Sequence, residues 1–533
     1  MRSHDDPWGA ALDAAIPALL SHADRDARSP TYGLFDRRYW AWSFSDMPAP
    51  RAQEAVLPLA VAYQGGAYRG RAELRAWIGA GIDAWARLAH ADGSLDEAYP
   101  SERSWGATAF TACAVAETLE LVGAELEPAV RARGIEALAR AARVLADHEE
   151  THGTLSNHLA AGAAALALAR RLTGETAFDA AADLLFDRIS RAASPEGGLR
   201  EYAGVDPGYQ SHALGYLAIY AGERAPSHTT PLLSRAVELL AWTMGPDGAL
   251  AGEIGSRDTA FFFPSGVERL AASLPLAGAL ASRARAAVRG RRVPGLGEMD
   301  APNWIPMLAS YARAHRAWRA LDDVSALPAD GEGERWMPGA GLLARNTARY
   351  HALVAADKGG VVSALGRDGT SFVASGWATG DATSQWMGAE VEAPQDGVIR
   401  VVTPFRVRRD RAPGVGEHLG LRLASTTLGR TALGARAIKG LLVHRLVDRE
   451  VRAPLRLDRT ILLSRDAIEI RDRVTWEDER PADLAPVERI TSIHMGSARY
   501  FQPRELAPRA PTTTAEREGP GWLERTTRAA FSG

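Results

Sequence analysis

The apolar residues of this chain change period once, and that change limits the folds open to it. Up to about residue 325 they recur at helical spacing in alanine-rich stretches such as AELRAWIGAGIDAWARLAH, ARGIEALARAARVLADHEE and ETAFDAAADLLFDRISRAA. This is the pattern of helices with a buried face. Beyond LPADGEGERWMPG the texture alternates apolar with polar and favours β-branched residues, as in ARYHALVAADKG, RLDRTILLSRDAIEIRDRVTW and VERITSIHM. That alternation predicts antiparallel strands. The expected organisation is a helical domain over 1–327, a Pro/Gly/Glu-rich linker over 328–340 and an antiparallel β domain over 341–533. A length of 533 residues is too great for one core and suits such a division.

Within the helical part a short turn recurs: DGSL from Asp92, HGTL from His152, EGGL from Glu196 and DGAL from Asp247. The intervals of 60, 44 and 51 residues each hold one helical hairpin, so the units stack. Hairpins of this length build an open solenoid or a closed ring, an (α/α) toroid. In either, the four turns lie at one end. The residues after each turn are polar and aromatic: DEAYPSERSW, SNH, REYAGVDPGYQSH and AGEIGSRDTAFFF. Turns are polar in most proteins, but four that converge with Arg, Glu, Tyr, His and Asn are expected to line a common cleft.

Composition narrows the function. A net charge of −3, with 46% hydrophobic and 24% charged residues, is that of an ordinary globular protein. It argues against a disordered chain and a dedicated nucleic-acid binder, and leaves any anion binding to a local patch. Cys113 is the only cysteine, so no intrachain disulfide forms. The N-terminal stretch MRSHDDPWGAALDAAIPALL lacks the basic segment and long apolar run of a signal peptide, and no later stretch reads as a bilayer span. The expectation is a cytoplasmic protein with no membrane partner. No His/Cys/Asp group has ligand spacing, so neither a metal nor another cofactor is expected. The HEETH of His148 to His152 departs from the zinc-protease pattern and reads as a solvated helix end. Phosphate loops and GxSxG elbows are absent.

Asn157 and His158 fall where a helix must begin. The ordinary reading is an N-cap by Ser156 or Asn157, satisfying free backbone N–H groups. The third turn changes that weighting. Tyr202 and Tyr209 come about one hairpin later, around an Asp206-Pro207-Gly208 turn, and neighbouring hairpins of a toroid would set Tyr209 beside Asn157 and His158. A phenol, an amide and an imidazole suit proton abstraction next to a carboxylate. The C5 proton of a uronate becomes acidic when hydrogen bonds neutralise the carboxylate, which Asn and His can do. A phenol with an ordinary pKa near ~10 needs nearby positive charge to act as the base, and Arg200 or Arg103 can supply it. The same phenol can then protonate the departing 4-oxygen.

Helical turns of this kind followed by a β domain resemble the heparinase II/III-like polysaccharide lyases, related alginate lyases included. The resemblance rests on SNHL and DPGYQSH. It implies an (α/α) toroid with a β-sandwich, elimination across the glycosidic bond of an acidic oligo- or polysaccharide, carboxylate neutralisation by Asn157 or His158, and Tyr209 as acid/base. The segments 32–55 and 255–266 are also similar to heparinase-like sequences and add Trp40, Trp42 and Arg257 as substrate-binding candidates, although for the two tryptophans a place in the core is the favoured reading. Arg103, Trp105, Arg200, Glu201, Tyr202 and His212 complete the expected substrate-binding set. The family's early β strands carry a His-Asn-Asp-x-Gly-Ser-Phe pattern. Here AADKGG has Ala355 and Ala356 at the His and Asn places and keeps Asp357 and Gly359. His351, at an even offset on the same strand face, is the candidate replacement. Two other readings stay open: a glycoside hydrolase on the same toroid, using a facing pair from Glu97, Glu201, Asp206 and Glu253, and a non-catalytic glycan-binding homologue.

Overall fold

In the helical part, six helices stand in an inner ring: α3 (Val56–Gln64), α5 (Trp105–Val122), α7 (Ser156–Thr173), α9 (Pro207–Ala221), α11 (Ser265–Leu270) and α13 (Ala301–Ala317). Each packs on the next, and α13 packs on α3, which closes the ring. Outside lie α1 (Pro7–His22), α4 (Ala72–Leu88), α6 (Pro128–Asp147), α8 (Ala177–Ala192), α10 (Pro226–Thr243) and α12 (Pro275–Arg289), each against an inner neighbour. A short helix, α2 (Arg37–Trp40), sits at the rim. The fold is an (α/α) toroid, seen in a computed structural model that describes residues 5–151, 153–321, 324–407, 414–443, 451–488 and 500–532.

The layering comes from the sequence. Outer helices such as α4, α6 and α8 bury one face and alternate it with charge. Inner helices are more fully covered, α5 without a break from Trp105 to Leu119. Together with the following turn, α5 is long and apolar enough to cross a bilayer by hydropathy, contrary to the sequence reading, and 83% of that window is buried inside the ring. The recurring turns need their glycine for two reasons. Gly93 and Gly197 have φ of 99° and 91°, the left-handed region open to Gly. A Cβ on them would also lie 2.5 Å and 2.3 Å from the backbone of α6 and α10.

The C-terminal part is a β-sandwich. One antiparallel sheet has five strands in chain order: Gly333–Met337, Leu342–Asn346, Tyr350–Ala355, Val361–Gly366 and Ser371–Ala374. The other has nine, centred on Val398–Val407, Arg452–Leu463, Ala467–Trp476 and Trp522–Ala530. Leu343, Tyr350 and Val354 of the small sheet meet Ile399, Ile461 and Ile470 of the large one. Its opposite face carries Leu342, Leu353 and Ala355 onto Val205, Leu239 and Ile254 of the toroid. The strand Tyr350–Ala355 is therefore buried at every position.

One sequence expectation needs correction here. Residues 333–337 are a strand, not linker, because they pair in register with Leu342–Asn346. The mainly antiparallel β domain also carries two helices that its sequence pattern does not single out, α14 (Val415–Thr426) and α15 (Ala432–Val443). Of the expected strand VERITSIHM, residues 489–495 lie outside the described residues, as does His152 of the second turn.

Candidate active site

The second and third turns lie side by side through an antiparallel bridge between Leu155 and Glu201, with Tyr202 N–H donating to the Thr154 carbonyl at 3.0 Å. That pairing brings Glu201 onto the start of α7. The helix has no side-chain N-cap from its own segment. Instead the Asn157 backbone N–H donates to Glu201 Oε1 at 2.9 Å, and Asn157 Nδ2 lies 2.8 Å from each Glu201 oxygen. Neither Ser156 nor Asn157 is a cap; the orphan N–H is satisfied from the neighbouring turn.

Arg257, from the fourth turn, completes this cluster. Its Nη1 lies 3.1 Å from Glu201 Oε2, and its guanidinium carbon stands 3.5 Å above the Tyr209 ring. Glu201, Asn157 and Arg257 are all buried. Burial pushes the Glu201 carboxyl up from its ordinary value, opposed by Arg257 and the Asn157 bonds. Burial also works against the Arg257 charge, yet Tyr209, Glu201, Tyr202 and Asp206 around it hold the guanidinium more firmly protonated than usual. Tyr209 enters at the first turn of α9, which Asp206 caps by accepting from the Tyr209 N–H at 3.0 Å.

His158 is partly buried, with Nδ1 2.7 Å from Glu150 Oε2. A carboxylate only accepts, so Nδ1 carries a proton toward Glu150 and Nε2 is the ring nitrogen left for the cavity. His212 is sandwiched between Phe263, at 3.9 Å between centroids, and Phe110, at 5.6 Å. Burial, with Arg51, Arg313, His158 and Arg257 nearby, pushes its pKa well below the ordinary histidine value. It is a neutral imidazole at pH 7. Asn157, His158, Tyr209, His212 and Arg257 all line one cavity of about 1000 Å³.

The other expected site residues lie elsewhere. Arg103 folds back onto Asp92. Trp105 is 3% exposed and donates from Nε1 to the His148 carbonyl at 2.9 Å, beneath the cleft. Arg200 is exposed, its Nε on the Tyr202 carbonyl at 3.0 Å. Glu201 and Tyr202 stand behind the cavity wall, Tyr202 with its ring 5.5 Å from Arg257. Trp40 is tethered to the His22 carbonyl at 2.8 Å, and Trp42 is 58% exposed, stacked on Phe44, which does line the cavity. His351 does not face the cleft. It is buried against Asn346, 2.6 Å from Nδ1 to Oδ1, because the sheet face it shares is packed away from the cavity mouth.

Two residues escape the sequence reading. Glu150, inside the HEETH stretch expected to be a solvated helix end, is 5% exposed and orients His158. Arg51 lies 4.0 Å over Phe110 and 3.6 Å from Glu97 on the cavity wall. Neither has a local signal beyond its charge. Among the described residues no group of three or more His, Cys, Asp or Glu is arranged to hold a metal ion.

Residues 45–263 match the family model of the ulvan lyase N-terminal domain. That interval contains Arg51, Asn157, His158, Tyr209, His212 and Arg257 and excludes His351. A search of curated proteins gave no match. Among solved structures, the chain is similar to chondroitin AC lyase from Streptomyces coelicolor A3 in complex with chondroitin sulphate, with TM-score 0.57 and 13% identity, over 99% of this chain and 78% of that one. It is also similar to heparinase III, with TM-score 0.50 and 11% identity, over 98% and 82%. The helical ring followed by a β-sandwich is thus the fold of these lyase structures, and the segment similar to the ulvan lyase N-terminal domain is the one that carries the cavity residues.

Proposed function

We propose that the protein cleaves an acidic, uronate-containing glycan by β-elimination, with Tyr209 as the proton-transfer residue. The observation that carries this reading is Arg257 lying 3.5 Å over the Tyr209 ring inside the cavity shared with Asn157, His158 and His212. A guanidinium there sets positive charge where a phenolate forms. Tyr209 takes the C5 proton, the C5–H electron pair becomes the C4–C5 double bond, the C4–O bond breaks, and the departing oxygen takes the proton back.

Asn157 and His158 hold the carboxylate. Asn157 Nδ2 is equidistant from both Glu201 oxygens, at 2.8 Å. Two amide hydrogens diverge too widely to serve oxygens so close together, so one N–H lies between them and the second is left for substrate. His158, oriented by Glu150, is the second candidate base through Nε2. The cavity wall also carries five arginines (Arg37, Arg38, Arg51, Arg257 and Arg422) against three carboxylates (Asp36, Asp46 and Glu97), a local excess that suits an acidic chain in a protein of net charge −3.

The four carboxylates named for the hydrolase reading do not face each other across the cavity as a pair. Glu201 is tied to Asn157 and Arg257, Asp206 caps α9, and Glu253 accepts from Ser363 Oγ at 2.6 Å away from the cavity. Of the four candidates only Glu97 reaches the cavity wall. The test is a panel of ulvan, chondroitin sulphate, heparan sulphate and alginate, read by ultraviolet absorbance of the new double bond. Tyr209→Phe is expected to cut turnover by about 10²–10⁴ with substrate binding retained. Release of reducing ends without absorbance, abolished by Glu97→Gln and not by Tyr209→Phe, would replace elimination with hydrolysis.

A further inference from the structure

Among the described residues that line the cavity, only Arg422 comes from beyond residue 327, so the described part of the β domain adds little else to the cavity wall. It reaches the turn that carries Arg257. Lys358, in the turn between the strands Tyr350–Ala355 and Val361–Gly366, is fully buried. Its Nζ donates to the Glu253 carbonyl at 3.0 Å, the Gly255 carbonyl at 2.5 Å and Asp258 Oδ1 at 2.9 Å. All three ammonium protons are used.

The same turn is gripped from the toroid side. Asp206 Oδ2 accepts from the backbone N–H of Arg257 at 2.9 Å and of Thr259 at 3.3 Å, and Ser256 Oγ donates to the Glu201 carbonyl at 2.8 Å. Asp258 is held at a φ of 54°, a left-handed conformation that a non-glycine residue keeps only when its surroundings impose it. Burial pushes the Asp258 carboxyl up to about 6, with Lys358 opposing. A buried ammonium is a poor device for stability, because desolvation cancels much of what its partners return. It is a good device for geometry, since three directed bonds are satisfied together in only one arrangement of the turn.

We propose that Lys358 is a positioning residue through which the β domain fixes Arg257 against Tyr209 and Glu201. The proposal rests on the elimination mechanism above for its effect on turnover, and on geometry alone for its effect on the turn. Lys358→Met keeps most of the side-chain volume and removes the three bonds; Lys358→Arg restores a buried cation with donors. Arg335→Ala serves as control, since it breaks a different contact between the two domains, with Glu238.

Two measurements decide the matter: hydrogen exchange of the peptide spanning 251–263 without substrate, and kcat and KM on whichever panel polymer the unaltered protein cleaves. In Lys358→Met the amides of 253–259 are expected to exchange at least ~10-fold faster, and kcat to fall by about 10²-fold with KM little changed, the cost of a misplacement near 1 Å. Lys358→Arg should recover part of both, and Arg335→Ala should move neither. If Lys358→Met does not fold, Asp258→Asn, which loosens one of the three contacts, should show the same two changes at smaller size. Unchanged exchange in the turn overturns the proposal, and so does a loosened turn with unchanged kcat, which leaves Lys358 a structural bond only. If no polymer is cleaved by the unaltered protein, the lyase reading fails, while exchange still decides whether Lys358 holds the turn.

Discussion

His351 is 4% exposed, its Nδ1 is bonded to Asn346 Oδ1 at 2.6 Å, and its Nε2 has no partner. Burial, helped by Arg504 and Arg367, pushes its pKa down to about 3. In the unfolded chain the same imidazole titrates near ~6.5. Between those values the unfolded state takes up a proton that the folded state refuses, so this group's contribution to stability is complete above about 6.5 and is lost as pH falls. His212 acts in the same direction, its pKa being pushed well below the ordinary value. The expected cost from His351 alone between pH 7 and pH 5 is about 2 kcal/mol. Urea unfolding of the β domain should show it, and His351→Gln should flatten that slope while leaving turnover intact, because the residue is outside the cleft. Loss of turnover in His351→Gln at unchanged stability would return the residue to the catalytic set.

At the scale of elements, the inner helices come close enough that single atoms decide what fits. A Cβ at Gly162 of α7 would lie 2.3 Å from the Trp105 ring of α5, and one at Gly106 of α5 would lie 2.7 Å from the His158 ring. The same substitution at the two glycines should therefore separate packing from chemistry. Gly162→Ala is expected to cost about 1–3 kcal/mol by overpacking with kcat retained, whereas Gly106→Ala should displace His158 from Glu150 and lower kcat. Thermal unfolding and kinetics on both variants check this; equal loss of kcat in the two would mean that α5 and α7 move as one body. These contacts also mark where sequence reading stops. The helices and the left-handed glycines of the four turns are legible because period and turn chemistry are local properties. So is the convergence of Asn157, His158 and Tyr209, which needs only that hairpins stack. Trp105 is misplaced by the sequence because a tryptophan after a turn has the same signature whether it faces a sugar or a helix. Glu150 reads as solvated because nothing nearby in sequence reveals that it is buried beside His158 of α7. The strand 333–337 reads as linker since its partner strand, not its composition, makes it a strand.

The whole molecule is held together by the five-stranded sheet, which is buried against both the toroid and the larger sheet. The β domain also extends around the cleft. Arg422 of α14 meets Asp46 of the toroid at 2.6 Å, and both line the cavity. The pair is exposed, at 35% and 50% of the two side chains, so as a stabilising bond it contributes little. Its value lies in the field of the cavity. An acidic glycan binding there would be drawn by Arg37, Arg38 and Arg422 at the mouth, in surroundings open to water and salt. A unit charge a few ångströms from a bound anion in such surroundings is worth about 1 kcal/mol, roughly a fivefold change in affinity. Arg422→Ala is therefore expected to raise KM about fivefold with kcat unchanged, because the residue binds ahead of the chemistry. Adding salt should raise KM for the unaltered protein and do so less steeply for the variant, since one screened contact has already gone. Steady-state kinetics at two ionic strengths measures both effects. A KM indifferent to salt and to Arg422→Ala would mean that the glycan carries no charge where the arginines stand, and the acidic substrate would have to be abandoned.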